Sequence, residues 1–145
     1  MAGGVMATSE HFLCQECSFV LFTPITALDV SCVGLHSDAR YPGRMIVALR
    51  EHYDHLDEVP TELFNRLMAD VRECSRVLRS IPDVVRVNVA VLGNQESHVH
   101  AHVIPRYVND PILTKAPWDG AQPHTPLVDS VRDGVVRMLA QRLRV

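Results

Sequence analysis

At 145 residues the chain is the size of one domain, and its 47% hydrophobic and 21% charged residues suit a globule with its own core. A net charge of −3 excludes nucleic-acid binding by bulk electrostatics. The start, MAGGVMATSE, lacks a basic segment leading into an apolar run, and the most apolar early stretch, residues 19–22, is too short to span a bilayer. A single cytoplasmic domain over residues 1–145, with no membrane partner, is therefore expected.

The cysteines, Cys14, Cys17, Cys32 and Cys74, read as thiols in a reducing compartment. Cys14-Gln15-Glu16-Cys17 is a CxxC, which serves redox chemistry, a metal, or neither. After an irregular start, residues 28–35 (LDVSCVGL) have strand character. Residues 36–43 (HSDARYPG) are loop-like, and 44–49 (RMIVAL) form a short apolar strand. Residues 61–79 are the clearest helix: Leu63, Leu67, Val71, Cys74 and Leu78 recur at three- and four-residue steps and make one apolar stripe. Residues 84–92 (VVRVNVAVL) and 98–104 (HVHAHVI) read as strands joined by the turn GNQES, an antiparallel hairpin that Pro105 ends. Five of the nine prolines and the only tryptophan, Trp118, fall in residues 105–126, an irregular segment. A last helix is expected over about 125–144, opened by Thr125-Pro126, with Leu127, Val131, Val135, Met138 and Leu139 on its apolar face. Strands and helices mix without βαβ alternation, so the fold class is α+β with an antiparallel sheet.

Histidine is the outlier, with eight residues. On a strand, positions i, i+2 and i+4 share a face, so His98, His100 and His102 point one way and Val99, Ala101 and Val103 the other. Three buried imidazoles in register would each need a polar partner. Two chemistries suit them. Imidazoles on neighbouring pleats can bind zinc or iron. A neutral imidazole can also attack phosphorus or carbon, if its second nitrogen donates its proton to a carbonyl. His11 and His124 read as surface histidines, and His55 lies three residues from His52. Cys32 and Cys74 read as small core residues, and Arg106 as a solvated strand-end residue.

The stretch 98–104, three histidines separated by single apolar residues and followed by two more apolar residues, resembles the signature of the histidine triad (HIT) superfamily. Asp38-Ala39-Arg40-Tyr41-Pro42, Met45-Ile46-Val47-Ala48-Leu49, Arg50-Glu51-His52 and the long helix are similar to family patterns over about residues 14–120. Asn88-Val89-Ala90-Val91-Leu92-Gly93-Asn94, with Asn109-Asp110-Pro111 and Trp118, is similar to bacterial diadenosine tetraphosphate hydrolase-like members. The resemblance implies a HIT-like α+β fold: about five antiparallel strands, a long central helix and a C-terminal helix. It implies cleavage at the α-phosphate of a (di)nucleoside polyphosphate by nucleophilic His100. His102 would contact the phosphate, and the backbone carbonyl of His98 would orient the His100 ring. Gly93, Asn94, Gln95 and Ser97 would approach the phosphates, although the family's Gly-Gln-Ser/Thr is not reproduced there. Asp38 and Asn88 would meet the ribose. Alternatives are a nucleoside phosphoramidase, or a non-catalytic nucleotide-binding or zinc-stabilised interaction module. The resemblance further implies structural zinc on Cys14, Cys17, His52 and His98, a purine (adenine) nucleotide substrate, and a homodimer.

Overall fold

The computed structural model describes residues 12–120 and 123–143. His11 lies outside them. Seven strands and two α-helices follow in chain order: β1 (Phe12–Leu13), β2 (Val20–Leu21), β3 (Pro24–Ala27), β4 (Ser31–Leu35), β5 (Met45–Leu49), α1 (Thr61–Arg79), β6 (Val84–Ala90), β7 (His100–Tyr107) and α2 (Asp129–Leu143). Five of the strands make one antiparallel sheet in the order β3-β4-β5-β7-β6, as the α+β reading requires. Among the described residues no helix is long and apolar enough to cross a membrane.

One face of the sheet is covered by helix. The buried side of α1, Leu67, Val71, Cys74, Val77 and Leu78, meets Met45, Val47 and Leu49 of β5 and Ala101 and Val103 of β7 in the main core. This is the apolar half of the alternation around the triad. Asp70, also buried on α1, accepts hydrogen bonds from the Val30 amide (3.0 Å) and the Ser31 hydroxyl (2.7 Å), which ties the helix to the turn between β3 and β4.

The other face carries a second, smaller core. There the β1–β2 hairpin folds back, and Phe12, Phe19 and Leu21 pack on Cys32 and Ala48. Small residues on the sheet make room for it: a Cβ on Gly34 would stand 3.2 Å from the Thr23 carbonyl oxygen and 3.3 Å from Leu21.

Several boundaries differ from the sequence-based expectation. The stretch 28–35 is not one strand, because the Leu28 amide bonds to the Ser31 carbonyl (2.8 Å) and closes a turn between β3 and β4. Proline does not end β7, which runs on to Tyr107. Pairing with β5 stops at Val103, so Pro105 meets only β6, and its missing N–H costs no ladder bond on the open side. The last helix starts at Asp129, not Thr125. The chain before it is held elsewhere: the Thr125 carbonyl accepts from the Ala39 amide (2.7 Å), and the Leu127 amide donates to Ser37 Oγ (3.1 Å). Arg106 is 1% exposed, against the expectation of a solvated residue, whereas Trp118 is 56% exposed.

Candidate functional site

The three histidines differ in which nitrogen is committed. His100 opens β7 opposite Ala48 of β5, and its Nδ1 lies 2.5 Å from the His98 carbonyl oxygen. A carbonyl only accepts, so Nδ1 is the donor there, and the ring's lone pair belongs on Nε2. His102 is the reverse. Arg44 Nη2 stands 3.2 Å from its Nδ1, and a guanidinium only donates, so Nδ1 accepts. Burial, reinforced by the charge of Arg44, pushes the His102 pKa down to about 3. The ring is therefore neutral at pH 7, with a proton on Nε2. His100 and His102 are T-shaped neighbours, 5.2 Å between centroids.

Both line a cleft of about 760 Å³ whose walls include Phe19, His36, Arg44, Gly93, Asn94 and Gln95. Gly93 has φ +76°, left-handed backbone that favours glycine, and it turns the loop after β6 along the cleft. Ser97 is exposed and lines a smaller neighbouring cavity of about 310 Å³ with His98 and His100. The cleft thus gathers a lone pair, an N–H donor, a guanidinium and two amide side chains.

His98 sits beneath, 1% exposed, stacked on Phe19 at 4.9 Å and edge-on to Phe12 at 5.8 Å. Its Nε2 donates to the Leu49 carbonyl (2.6 Å), so Nδ1 is the free acceptor. His52 does the same with Asp54 Oδ1 (2.9 Å). The two Nδ1 atoms face each other at 3.3 Å. Two lone pairs at that distance need a cation between them, a proton or a metal ion. Cys14 Sγ is 3.7 Å from His52 Nδ1, and Cys17 Sγ is 3.5 Å from His98 Nδ1. With Zn–N near 2.05 Å and Zn–S near 2.3 Å, tetrahedral angles place ligands about 3.3 Å (N···N) and about 3.6 Å (N···S) apart. The four donors, all within 4.8 Å of one another, therefore fit a tetrahedral ion. Burial alone would raise the Cys14 thiol, but amide hydrogen bonds from Glu16 and Cys17, with Cys17 and His52 side chains, outweigh it and lower its pKa. Burial raises that of Cys17. His55 is exposed and outside this cluster.

Asp38 and Asn88, the expected ribose contacts, are not brought to the cleft. The Asp38 carboxylate is fully buried and accepts from Arg40 Nε (3.0 Å), Arg40 Nη2 (2.9 Å), the Arg40 amide (3.0 Å) and Arg44 Nη1 (3.3 Å). Burial would raise its pKa, but the Arg40 hydrogen bonds lower it. Asn88 Oδ1 accepts from buried Arg106 (2.8 Å), which also bonds Asp110 (2.7 Å) and the Ile112 and Lys115 carbonyls. His36, Asp38 and His124 also gather donor atoms within 4.8 Å, but two guanidiniums already neutralise Asp38, which disfavours a cation there. Arg44, His36 and Phe19 are site residues that the sequence reading missed. Arg44 had one signal: two residues before Ile46, which pairs with His102, it shares that pleat face.

The HIT domain family model matches residues 23–109. An uncharacterized HIT-like protein of Methanocaldococcus jannaschii is 31% identical over 85 residues, 56% of this chain, and the match spans 66% of that relative's length. A histidine triad protein of Bradyrhizobium japonicum superposes with a TM-score of 0.74 at 23% identity, covering 83% of this chain and 89% of that one. A zinc-bound histidine triad family protein of Mycobacterium smegmatis gives 0.61 at 20% identity, covering 83% and 82%. With His100 and His102 on β7, His98 just before it, the sheet order and these matches together, the chain belongs to the HIT family.

Proposed function

We propose that this protein is a nucleotide hydrolase or nucleotidyl transferase that acts at the α-phosphorus of an adenine (di)nucleoside polyphosphate through His100. The observation that carries the reading is the 2.5 Å hydrogen bond from His100 Nδ1 to the His98 carbonyl, which leaves Nε2 as a lone pair on a ring lining the cleft. Family membership supports nucleotide chemistry at that point.

In this account His100 Nε2 attacks the α-phosphorus. The bond to the bridging oxygen breaks, and its electron pair leaves with the departing group. His102 Nε2–H donates to a non-bridging oxygen as charge builds there. Asn94 and Gln95 offer side-chain amides along the same cleft. Water then attacks the phosphorus of the nucleotidyl-histidine, releases the nucleoside monophosphate and restores the imidazole, with a proton lost to solvent.

Structural zinc on Cys14, Cys17, His52 and His98 belongs to the same proposal. It is supported by the ligand spacing and by the zinc-bound mycobacterial relative. Zinc here would brace the hairpin against the sheet, and all four ligands coming from protein leave no open position for chemistry. A homodimer is also proposed: edge strand β6 exposes Val85 and Val89, an apolar rim that a second copy of the chain would cover.

The test is AMP release from diadenosine tetraphosphate and from adenosine phosphoramidate. The wild type should release AMP from at least one and His100→Ala from neither, and the preferred compound separates hydrolase from phosphoramidase. No release by the wild type from either would contradict the catalytic reading and favour a nucleotide-binding module.

A further inference from the structure

The register of the sheet sets Arg44 diagonally across from His102, because Ile46 pairs with His102 and Arg44 lies two residues earlier on the same face. Arg44 is half-way along a chain of contacts. On one side Nη1 meets Asp38 Oδ2 at 3.3 Å, and on the other Nη2 meets His102 Nδ1 at 3.2 Å. Asp38 is itself immobile: 0% exposed, with both carboxylate oxygens held by Arg40. We propose that Asp38, Arg44 and His102 form a relay in which the buried carboxylate aims Arg44, and Arg44 holds His102 as the Nε2–H tautomer that faces the cleft. Arg44 is then a positioning residue for a phosphate-facing histidine.

The chemistry follows from what each group can do. A neutral imidazole has one proton to place, and free in water it populates both tautomers. With Nδ1–H, His102 would turn a lone pair toward the cleft and repel a phosphate oxygen. A lysine in place of Arg44 could also only donate, whereas a methionine has no donor to offer Nδ1. A second chain of the same kind does not exist for His100, whose proton is placed by its own strand through the His98 carbonyl. The two rings thus present opposite hydrogen-bonding character to one cleft, an acceptor Nε2 on His100 and a donor Nε2–H on His102, although they stand two residues apart on one strand. Within the same side chain, Arg44 Nε is buried with no hydrogen-bond partner, as is Nδ1 of His36, whose amide donates to the Arg44 carbonyl (2.8 Å). Both side chains line the cleft beside His102. Arg40 and Arg44 together outweigh the single Asp38 carboxylate, so this side of the cleft carries a net positive charge, which suits an anionic ligand over a neutral one.

The inference rests on the reading of the cleft as a phosphate site, but its test needs no substrate. Long-range proton–nitrogen NMR of the 15N-labelled protein, supplied with zinc, distinguishes the two imidazole tautomers. In the wild type His102 should show a single Nε2–H tautomer. Arg44→Lys should keep it, and Arg44→Met should show a mixture of the two. In turnover, Arg44→Met should lower kcat by about ten- to a hundredfold, with Arg44→Lys recovering most of it. An Nδ1–H or mixed His102 in the wild type would overturn the relay without any variant. So would an unchanged single tautomer in Arg44→Met. If the tautomers behave as expected while the wild type releases no AMP, the relay stands and the catalytic reading falls.

Discussion

His36 shows how strongly this cleft favours neutral imidazole. Burial, then the nearby charge of Arg44, brings its pKa from 6.5 down to about 4. Between those two values the unfolded chain binds a proton that the folded chain rejects. Stability therefore falls as the pH drops through the window, by at most about 1.4 kcal/mol per pH unit for one histidine. His36→Gln should flatten the pH dependence of the urea unfolding midpoint between pH 6.5 and 4.5. Parallel slopes for wild type and variant would contradict this placement of His36. The triad itself was legible in the sequence because alternation on a strand puts His98, His100 and His102 on one face. The commitments of their nitrogens were not. They depend on Leu49, on Arg44 and on a backbone carbonyl, and the first two lie on β5 or just before it, far away in the chain. For the same reason the resemblance could name Asp38 and Asn88 as ribose contacts, while their partners Arg44 and Arg106 stayed hidden.

Among the elements, α1 was the most legible: its stripe at helical spacing is local, and the helix spans the residues the pattern indicates. The β1–β2 hairpin was the least. Strands of two residues have no periodicity to read, and what holds them is tertiary: Phe19 on His98, and donors from Cys14 and Cys17 facing those of His52 and His98. The CxxC was visible, but the strands around it were not. At Gly34 the hairpin lies close on the sheet, with Leu21 side-chain atoms 3.3 Å from any added Cβ and the Thr23 carbonyl oxygen 3.2 Å from it. With zinc on the four donors as proposed, Gly34→Val should push the hairpin outward and weaken metal retention, read as faster zinc loss to a chelator, while α1 and the far face of the sheet keep their amide protection from hydrogen exchange. Equal rates of zinc loss in wild type and variant would show that the hairpin does not depend on this close approach.

At the scale of the molecule, the two faces of the sheet divide the work. The helical face supplies the main core and holds β5 and β7 in register. The opposite face carries the hairpin, the four-donor cluster and the cleft. His98 joins them: its ring belongs to the cluster, its carbonyl holds the proton of His100, and the apolar residues beside it, Val99 and Ala101, belong to the main core. The fold class was readable from local patterns, whereas the assembly of the site required the sheet order, which brings β5 between β4 and β7. The central claim is that His100 Nε2 becomes covalently bonded to the α-phosphorus of a nucleotide. The most direct measurement is mass spectrometry of protein mixed with diadenosine tetraphosphate and quenched in alkali, where a phosphorus–nitrogen bond to histidine survives. The account predicts one adenylyl group per chain, mapped to His100 and absent from His100→Ala. AMP release by the wild type with no adduct at any early time, or an adduct that persists in His100→Ala, would contradict it.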